Sequence, residues 1–133
     1  MYDDTERAFV ERCIVNDRQD RLLFELGGRQ RQRGIGRFCH DAEDLIRPDR
    51  VLSSGKLSRE DIMALVKAHD VSVPCHIIAY DKALDKRVCT LEEALDMVLG
   101  NGMAAVILCG DIAVIETEQC FGTPMRYIAL ISS

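Results

Sequence analysis

Met103-Ala104-Ala105-Val106-Ile107-Leu108-Cys109, then Gly110-Asp111, then Ile112-Ala113-Val114-Ile115, is the stretch from which the expected architecture of this 133-residue chain follows. Two apolar runs are separated by two residues, and Gly-Asp suits a type I′ or II′ turn, so the runs are expected to form a tight antiparallel hairpin. The first run does not alternate apolar with polar residues. A strand with one wet face would alternate, so both faces of this one should be shielded from water. Downstream, Glu116-Thr117-Glu118 alternates and Phe121-Gly122-Thr123-Pro124 breaks the run. Arg126 to Ile131 then reads as another strand.

Working back from the hairpin, Thr90-Leu91-Glu92-Glu93 is a capping box that opens a helix. Leu91, Ala94, Leu95, Val98 and Leu99 supply its buried stripe, and Gly100-Asn101-Gly102 its stop. Cys75 to Tyr80, entered through Pro74, reads as a strand, with Asp81 to Arg87 as a charged surface connection. The strand-helix-strand step from Cys75 to Cys109 is long enough for a parallel right-handed crossover, and an antiparallel return remains open.

The first half reads as helical. Residues 3–26 carry two apolar stripes, Phe9, Val10, Cys13 and Ile14, then Leu22, Leu23 and Leu26, separated by the polar stretch Asn16 to Asp20 and ended by Gly27-Gly28. A second helix follows from Ile35, Phe38, Cys39, Ala42, Leu45 and Ile46 on one face, stopped by Pro48, which makes an αα-hairpin of the first half. Val51 to Lys56 reads as a loop. Ser58, with Asp61 three residues on, caps a third helix that runs to about His69. The expected fold class is α+β (mixed α/β), with N-terminal helices packed on a three- to four-stranded mixed sheet formed by the C-terminal half. Residues 1–133 make one domain, 1–70 its helical part and 74–133 its β-α-β-β-β part.

With 47% apolar and 29% charged residues the composition is that of an ordinary globular protein. No apolar run approaches the roughly 20 residues that span a bilayer. The first residues, Met1 to Glu6, are polar and acidic where a secretory signal is basic and then apolar, so a cytoplasmic protein without membrane contact is expected. In that compartment the six scattered cysteines are expected to be reduced thiols. A net charge of −5 argues against broad nucleic-acid affinity.

Four arginines without an intervening acid, Arg29, Arg31, Arg33 and Arg37, form the first candidate site, with His40 beside them. Guanidinium forks match phosphate oxygens, and the neighbouring glycines let a backbone approach. The competing reading is a solvated helix face paired with Asp41, Glu43 and Asp44. Glu116 and Glu118, at i and i+2 on a strand, are acid-base candidates because they share a face. Cys39-His40, Cys75-His76 and His69 lack the two-to-four-residue spacing of structural zinc ligands, so no metal is expected. Cys120 is a nucleophile only with a base, and only His40, His69 and His76 are available. The glycines form neither a P-loop nor a dinucleotide fingerprint, and no cofactor is expected.

These features favour a non-enzymatic binding or regulatory module acting as a homo-oligomer, a homodimer in the simplest case, that associates through its apolar sheet. A small enzyme acting on a phosphorylated or nucleotide-like substrate is the alternative, with the arginines as a clamp for an anionic ligand. A third reading, less favoured, is a nucleic-acid binder working through Arg29 to Arg37.

Overall fold

An apolar run without polar alternation needs cover on both sides, and the computed structural model shows one chain supplying it. Residues 4–69, 74–100, 103–117 and 125–131 are described. In chain order come helices α1 (Asp4–Cys13), α2 (Asn16–Leu26), α3 (Arg31–His40) and α4 (Ala42–Leu45), then a 3-10 turn at Pro48–Arg50. Strand β1 (Val51–Gly55), helix α5 (Arg59–Ala68), strands β2 (Cys75–Ala79) and β3 (Val88–Cys89) and helix α6 (Leu91–Val98) follow. Strands β4 (Ala105–Cys109), β5 (Ile112–Glu116) and β6 (Arg126–Leu130) complete the order. Among the described residues the strands make one six-stranded sheet, β1-β6-β5-β4-β2-β3, with every neighbouring pair antiparallel.

Gly110-Asp111 closes the β4-β5 hairpin with Cys109 opposite Ile112, and Gly110 has φ +58°. A positive φ at the first central residue alone is the type II′ pattern, where glycine carries no Cβ penalty. Along β4, Val106 and Leu108 face one layer while Ile107 and Cys109 face the other, and all four are buried. The first layer comes from α1 to α4: Phe9, Val10, Leu22, Leu26, Ile35 and Phe38 pack on Ile78, Val106, Leu108 and Ile115. At its centre the rings of Phe9 and Phe38 meet edge to face, 5.8 Å apart. The second layer is α5 and α6, whose Ile62, Val66, Ala94, Leu95 and Val98 cover Ile77, Ile107, Val114 and Ile128. Each fully buried Ile, Leu or Val contributes roughly 1.5–3 kcal/mol relative to exposure, which makes this double cover the main source of stability.

Both capping boxes form. Ser58 Oγ accepts from Asp61 N–H and the Asp61 carboxylate accepts from Ser58 N–H, and Thr90 with Glu93 repeats the exchange at α6.

The expected three- to four-stranded mixed sheet is corrected to six strands, all antiparallel. Val51 to Lys56, expected as a loop, holds edge strand β1, whose side chains are too small and polar for the apolar pattern to reveal it. The two-residue strand β3 is too short for any periodicity. The Cys75-to-Cys109 step is the antiparallel return, His76 pairing with Leu108. Helices are not confined to the N-terminal layer either, since α5 and α6 cover the opposite face. Residues 3–26 break at Ile14-Val15, ahead of the polar stretch, where Ile14 bridges to Ile46. The second helix is likewise interrupted at Asp41.

Helices α2 and α3 approach closely at Gly34, where an added Cβ would lie 2.8 Å from the Glu25 Cβ. Neither atom can move without shifting a helix. Gly34→Ala is therefore expected to cost about 1–3 kcal/mol from overpacking, more than the roughly 1 kcal/mol that alanine gains in helix propensity. At Gly36 the nearest atoms belong to the half-exposed ring of Tyr80, at 3.2 Å, which can turn aside. Urea denaturation of Gly36→Ala should show unchanged or raised stability, in contrast to Gly34→Ala; equal effects of the two would contradict this packing.

Candidate functional site

The arginine segment enters α3 at Arg31, which is buried at 5% exposure. Its Nη1 and Nη2 donate to Glu6 Oε1 and Oε2, each at 2.7 Å. Its Nε and Nη2 donate to Asp85 Oδ2 and Oδ1 at 2.6 and 2.9 Å, and Nη1 also reaches the Leu26 carbonyl at 3.0 Å. These bonds use all five N–H groups of the guanidinium, so no donor remains for an outside anion. Gln32 Nε2 and the Ala79 N–H donate to Asp85 as well, and His76 Nε2 lies 2.8 Å from Glu6 Oε2. One buried cluster thus ties α1, α3, β2 and the β2-β3 turn together.

That turn aims Asp85 inward. The Asp81 carbonyl accepts from Leu84 N–H and Asp85 N–H, and its side chain accepts from Ala83 N–H. Lys86, at φ +68°, then returns its N–H to the Ile77 carbonyl. The segment expected as a charged surface connection therefore contributes a carboxylate to the interior. Burial alone would push the Glu6 carboxyl up, but the hydrogen bonds from Arg31 and His76 outweigh it and hold it down at about 2. Burial likewise works against the Arg31 charge, and the Glu6 and Asp85 carboxylates more than offset it, raising the guanidinium above its ordinary value.

The remaining candidates do not converge on this cluster. Arg29 and Arg33 are exposed. Arg37 is paired with Glu25 on α2. His40 is exposed at the last residue of α3, roughly 13 Å along the axis from Arg31. It lines an open groove of about 330 Å³ with Glu43, Thr117, Met125 and Tyr127. Glu116 lies directly across β5-β6 from Arg126, whose Nε donates at 2.8 Å and whose Nη1 reaches the Leu57 carbonyl at 2.6 Å. Burial raises the Glu116 carboxyl, against the pull of Arg126 and the Gly100 N–H. Glu116 shares its strand face with Val114 and Ile112, the α5-α6 side, so the sheet separates it from Arg31. Glu118 and Cys120 lie outside the described residues.

Arg18, Arg21 and Arg37 border a second groove floored by Ile14, Leu22, Phe38 and Leu45, with Asp41 at its side. Its recess is about 30 Å³, space for a water or two, so a ligand there would lie across the mouth.

The expectation of uniformly reduced thiols is corrected at Cys75 and Cys109, which form a disulfide. Their place in the chain had a readable signal: an antiparallel return sets the start of β2 against the end of β4. Cys75 and His76 face opposite layers, as neighbours on a strand must. Among the described residues no three His, Cys, Asp or Glu side chains are grouped to hold a metal ion. Glu6 and Asp85 carry no signal in the sequence, and His76, weighed there only as a zinc ligand or as a base for Cys120, instead meets Glu6. Glu6 and Asp85 stand 25 and 54 positions from Arg31, and no local spacing marks such a partnership. No protein-family model matches the chain, and neither the curated proteins nor the solved structures contain a match to it.

Because the Glu6 carboxyl drops from its ordinary 4.5 to about 2 on folding, its contribution to stability is complete above pH 4.5 and lost as pH falls toward 2. Glu6→Gln should cost about 1.5–3 kcal/mol at neutral pH, since it removes the charge from one of the two carboxylates that hold Arg31 and leaves Asp85 as its charge partner. The difference in urea stability between wild type and Glu6→Gln should then shrink steadily over that window. Glu116 titrates in both proteins and cancels. A difference that stays constant to the bottom of the window would contradict the assignment.

Proposed function

We propose that the chain is a non-enzymatic binding or regulatory module that self-associates edge to edge through β1. Supporting the first part is the use to which its charges are put. Arg31 and Glu116, the best-buried of the candidates, are engaged inside the protein by Glu6, Asp85 and Arg126, on opposite sides of the sheet. A general acid or base must face a substrate, and an anion clamp must keep donors open. The phosphorylated-substrate and nucleic-acid readings therefore gain no support from these residues.

The second part rests on the edge that β1 forms among the described residues. Both faces of the sheet are covered within one chain, which removes the apolar face as a reason for a second copy. What remains is the outer edge of β1, where alternate N–H and C=O groups turn away from β6. Natural edges are usually guarded by lysine, proline or short length. The opposite edge, β3, is short. Val51-Leu52-Ser53-Ser54-Gly55 contains no charge and no proline, exposes Leu52, and has only a bulge between Val51 and Ser53 as a guard. A second copy of the strand, antiparallel about Ser53, satisfies these groups. Arg50 and Lys56 at its ends then face each other across the pair, so association should tighten as salt screens them.

Light scattering after size exclusion is expected to give twice the protomer mass, increasingly so at higher salt. Ser54→Pro, which blocks an edge hydrogen bond, should return the protein to a protomer with the same far-ultraviolet dichroism. A wild-type protomer at every concentration, or a dimer indifferent to both Ser54→Pro and Leu52→Lys, would overturn the edge proposal.

A further inference from the structure

Three cysteines fall in one row across three adjacent strands. Cys75 of β2 stands opposite Cys89 of β3 on one side and Cys109 of β4 on the other. An antiparallel ladder alternates wide, hydrogen-bonded pairs with narrow, non-hydrogen-bonded ones. Ile77 N–H donates to the Arg87 carbonyl at 2.9 Å, so two residues along Cys75 and Cys89 form a pair of the wide type. The backbone groups of Cys75 thus turn toward β3. Its pair with Cys109 is of the narrow type, with the Cα atoms 4.5 Å apart, where side chains approach most closely and the disulfide sits. All three side chains belong to the α5-α6 layer.

Their access differs. Cys75 and Cys109 are fully buried, beyond direct reach of a dissolved thiol. Cys89 is partly exposed and lines an open groove of about 410 Å³ with Arg87, Val88, Glu93, Asp96 and Met97. Cys13 and Cys39 are buried in the opposite layer, and burial pushes the Cys13 thiol up to about 11. Among the described residues, Cys89 is the one cysteine that both touches solvent and adjoins the disulfide.

We propose that Cys89 is the entry point for thiol-disulfide exchange with the Cys75–Cys109 bond, which makes this row a redox-responsive site for low-molecular-weight thiols and disulfides. Cys89 releases its proton to water, and the thiolate attacks Cys75 Sγ. The Cys89–Cys75 bond forms as the Cys75–Cys109 bond breaks, and the electron pair leaves on Cys109 Sγ, which takes up a proton. No net oxidation occurs. Attacking, central and leaving sulfurs sit on successive strands, the order that in-line displacement requires. The cross-link has then moved from inside the sheet to its edge. There a small thiol attacks Cys89 Sγ, forming a mixed disulfide and releasing Cys75. A second thiol frees Cys89 and departs with the first as their disulfide, so the protein gains the two electrons that the two thiols lose.

Burial and the Glu93 carboxylate hold the Cys89 thiol above its ordinary value, against the pull of Arg87. Asp96, the other acid lining the groove, is engaged by Arg59 at 2.9 Å. Exchange should therefore accelerate as pH rises above neutral. This site is independent of what the module binds or whether it dimerises.

The test uses the full chain carrying Cys120→Ser, so that no thiol outside the described residues takes part. Native protein is reduced with dithiothreitol, trapped with N-ethylmaleimide at intervals, and mapped by mass spectrometry. Loss of the Cys75–Cys109 link should slow by an order of magnitude or more in Cys89→Ser and stay at the parent rate in Val88→Ser, with urea midpoints unchanged. Independently, Cys109→Ala treated with oxidised glutathione should collect a Cys75–Cys89 link. Should that variant not fold, the parent protein incubated at raised pH should still yield the same link as a minor product. Reduction of Cys89→Ser at the parent rate, or no Cys75–Cys89 link in either protein, would overturn the proposal.

Discussion

Burial of β4 and β5 on both faces is the constraint from which the other features of this chain follow. Strands whose successive side chains are all apolar cannot lie on a protein surface, so a helical layer is required above and below the sheet. The chain supplies the first layer before β1 and the second from two short capped helices placed between strands. The order in which α5 and α6 interrupt the strands is what carries them to the face opposite α1 to α4. A six-stranded antiparallel sheet results, with its two apolar central strands shielded and its polar or short strands at the edges.

So complete a cover sets terms for every charge near it. A carboxylate or guanidinium taken from water is costly unless it meets an opposite charge and has its hydrogen bonds filled. Glu6, Arg31 and Asp85 meet that requirement at the α1-α3-β2 junction, whereas Glu116 meets it only at Oε1, which takes Arg126 across β5-β6, its buried Oε2 having no hydrogen-bond partner among the described residues. These groups hold elements in register. The outer edge of β1 and the thiol of Cys89 beside β3 lie instead at the margins of the sheet.

The central elements were legible in the sequence because their signals are local. The Gly110-Asp111 hairpin, the unalternating run before it, and the boxes at Ser58 and Thr90 each depend on residues a few positions apart. Edge strand β1 was not legible, since Ser53, Ser54 and Gly55 look like turn material and acquire strand geometry only by pairing with β6. The site was harder still. Arg31 stands out in sequence as an exposed cation, yet its partners come from elements far along the chain and remove it from solvent. Cys75 and Cys109 mark the ends of runs that were both recognised, and only the choice between a parallel and an antiparallel return hid their contact.

Native-state hydrogen exchange, resolved along the chain, bears most directly on the double burial of β4 and β5. Amides of Ala105–Cys109 and Ile112–Glu116 should exchange only through global unfolding, with protection matching the full unfolding free energy, while β1 and β3 open earlier. Exchange of β4 and β5 as fast as that of β1 would mean that the central hairpin is not sealed between two layers.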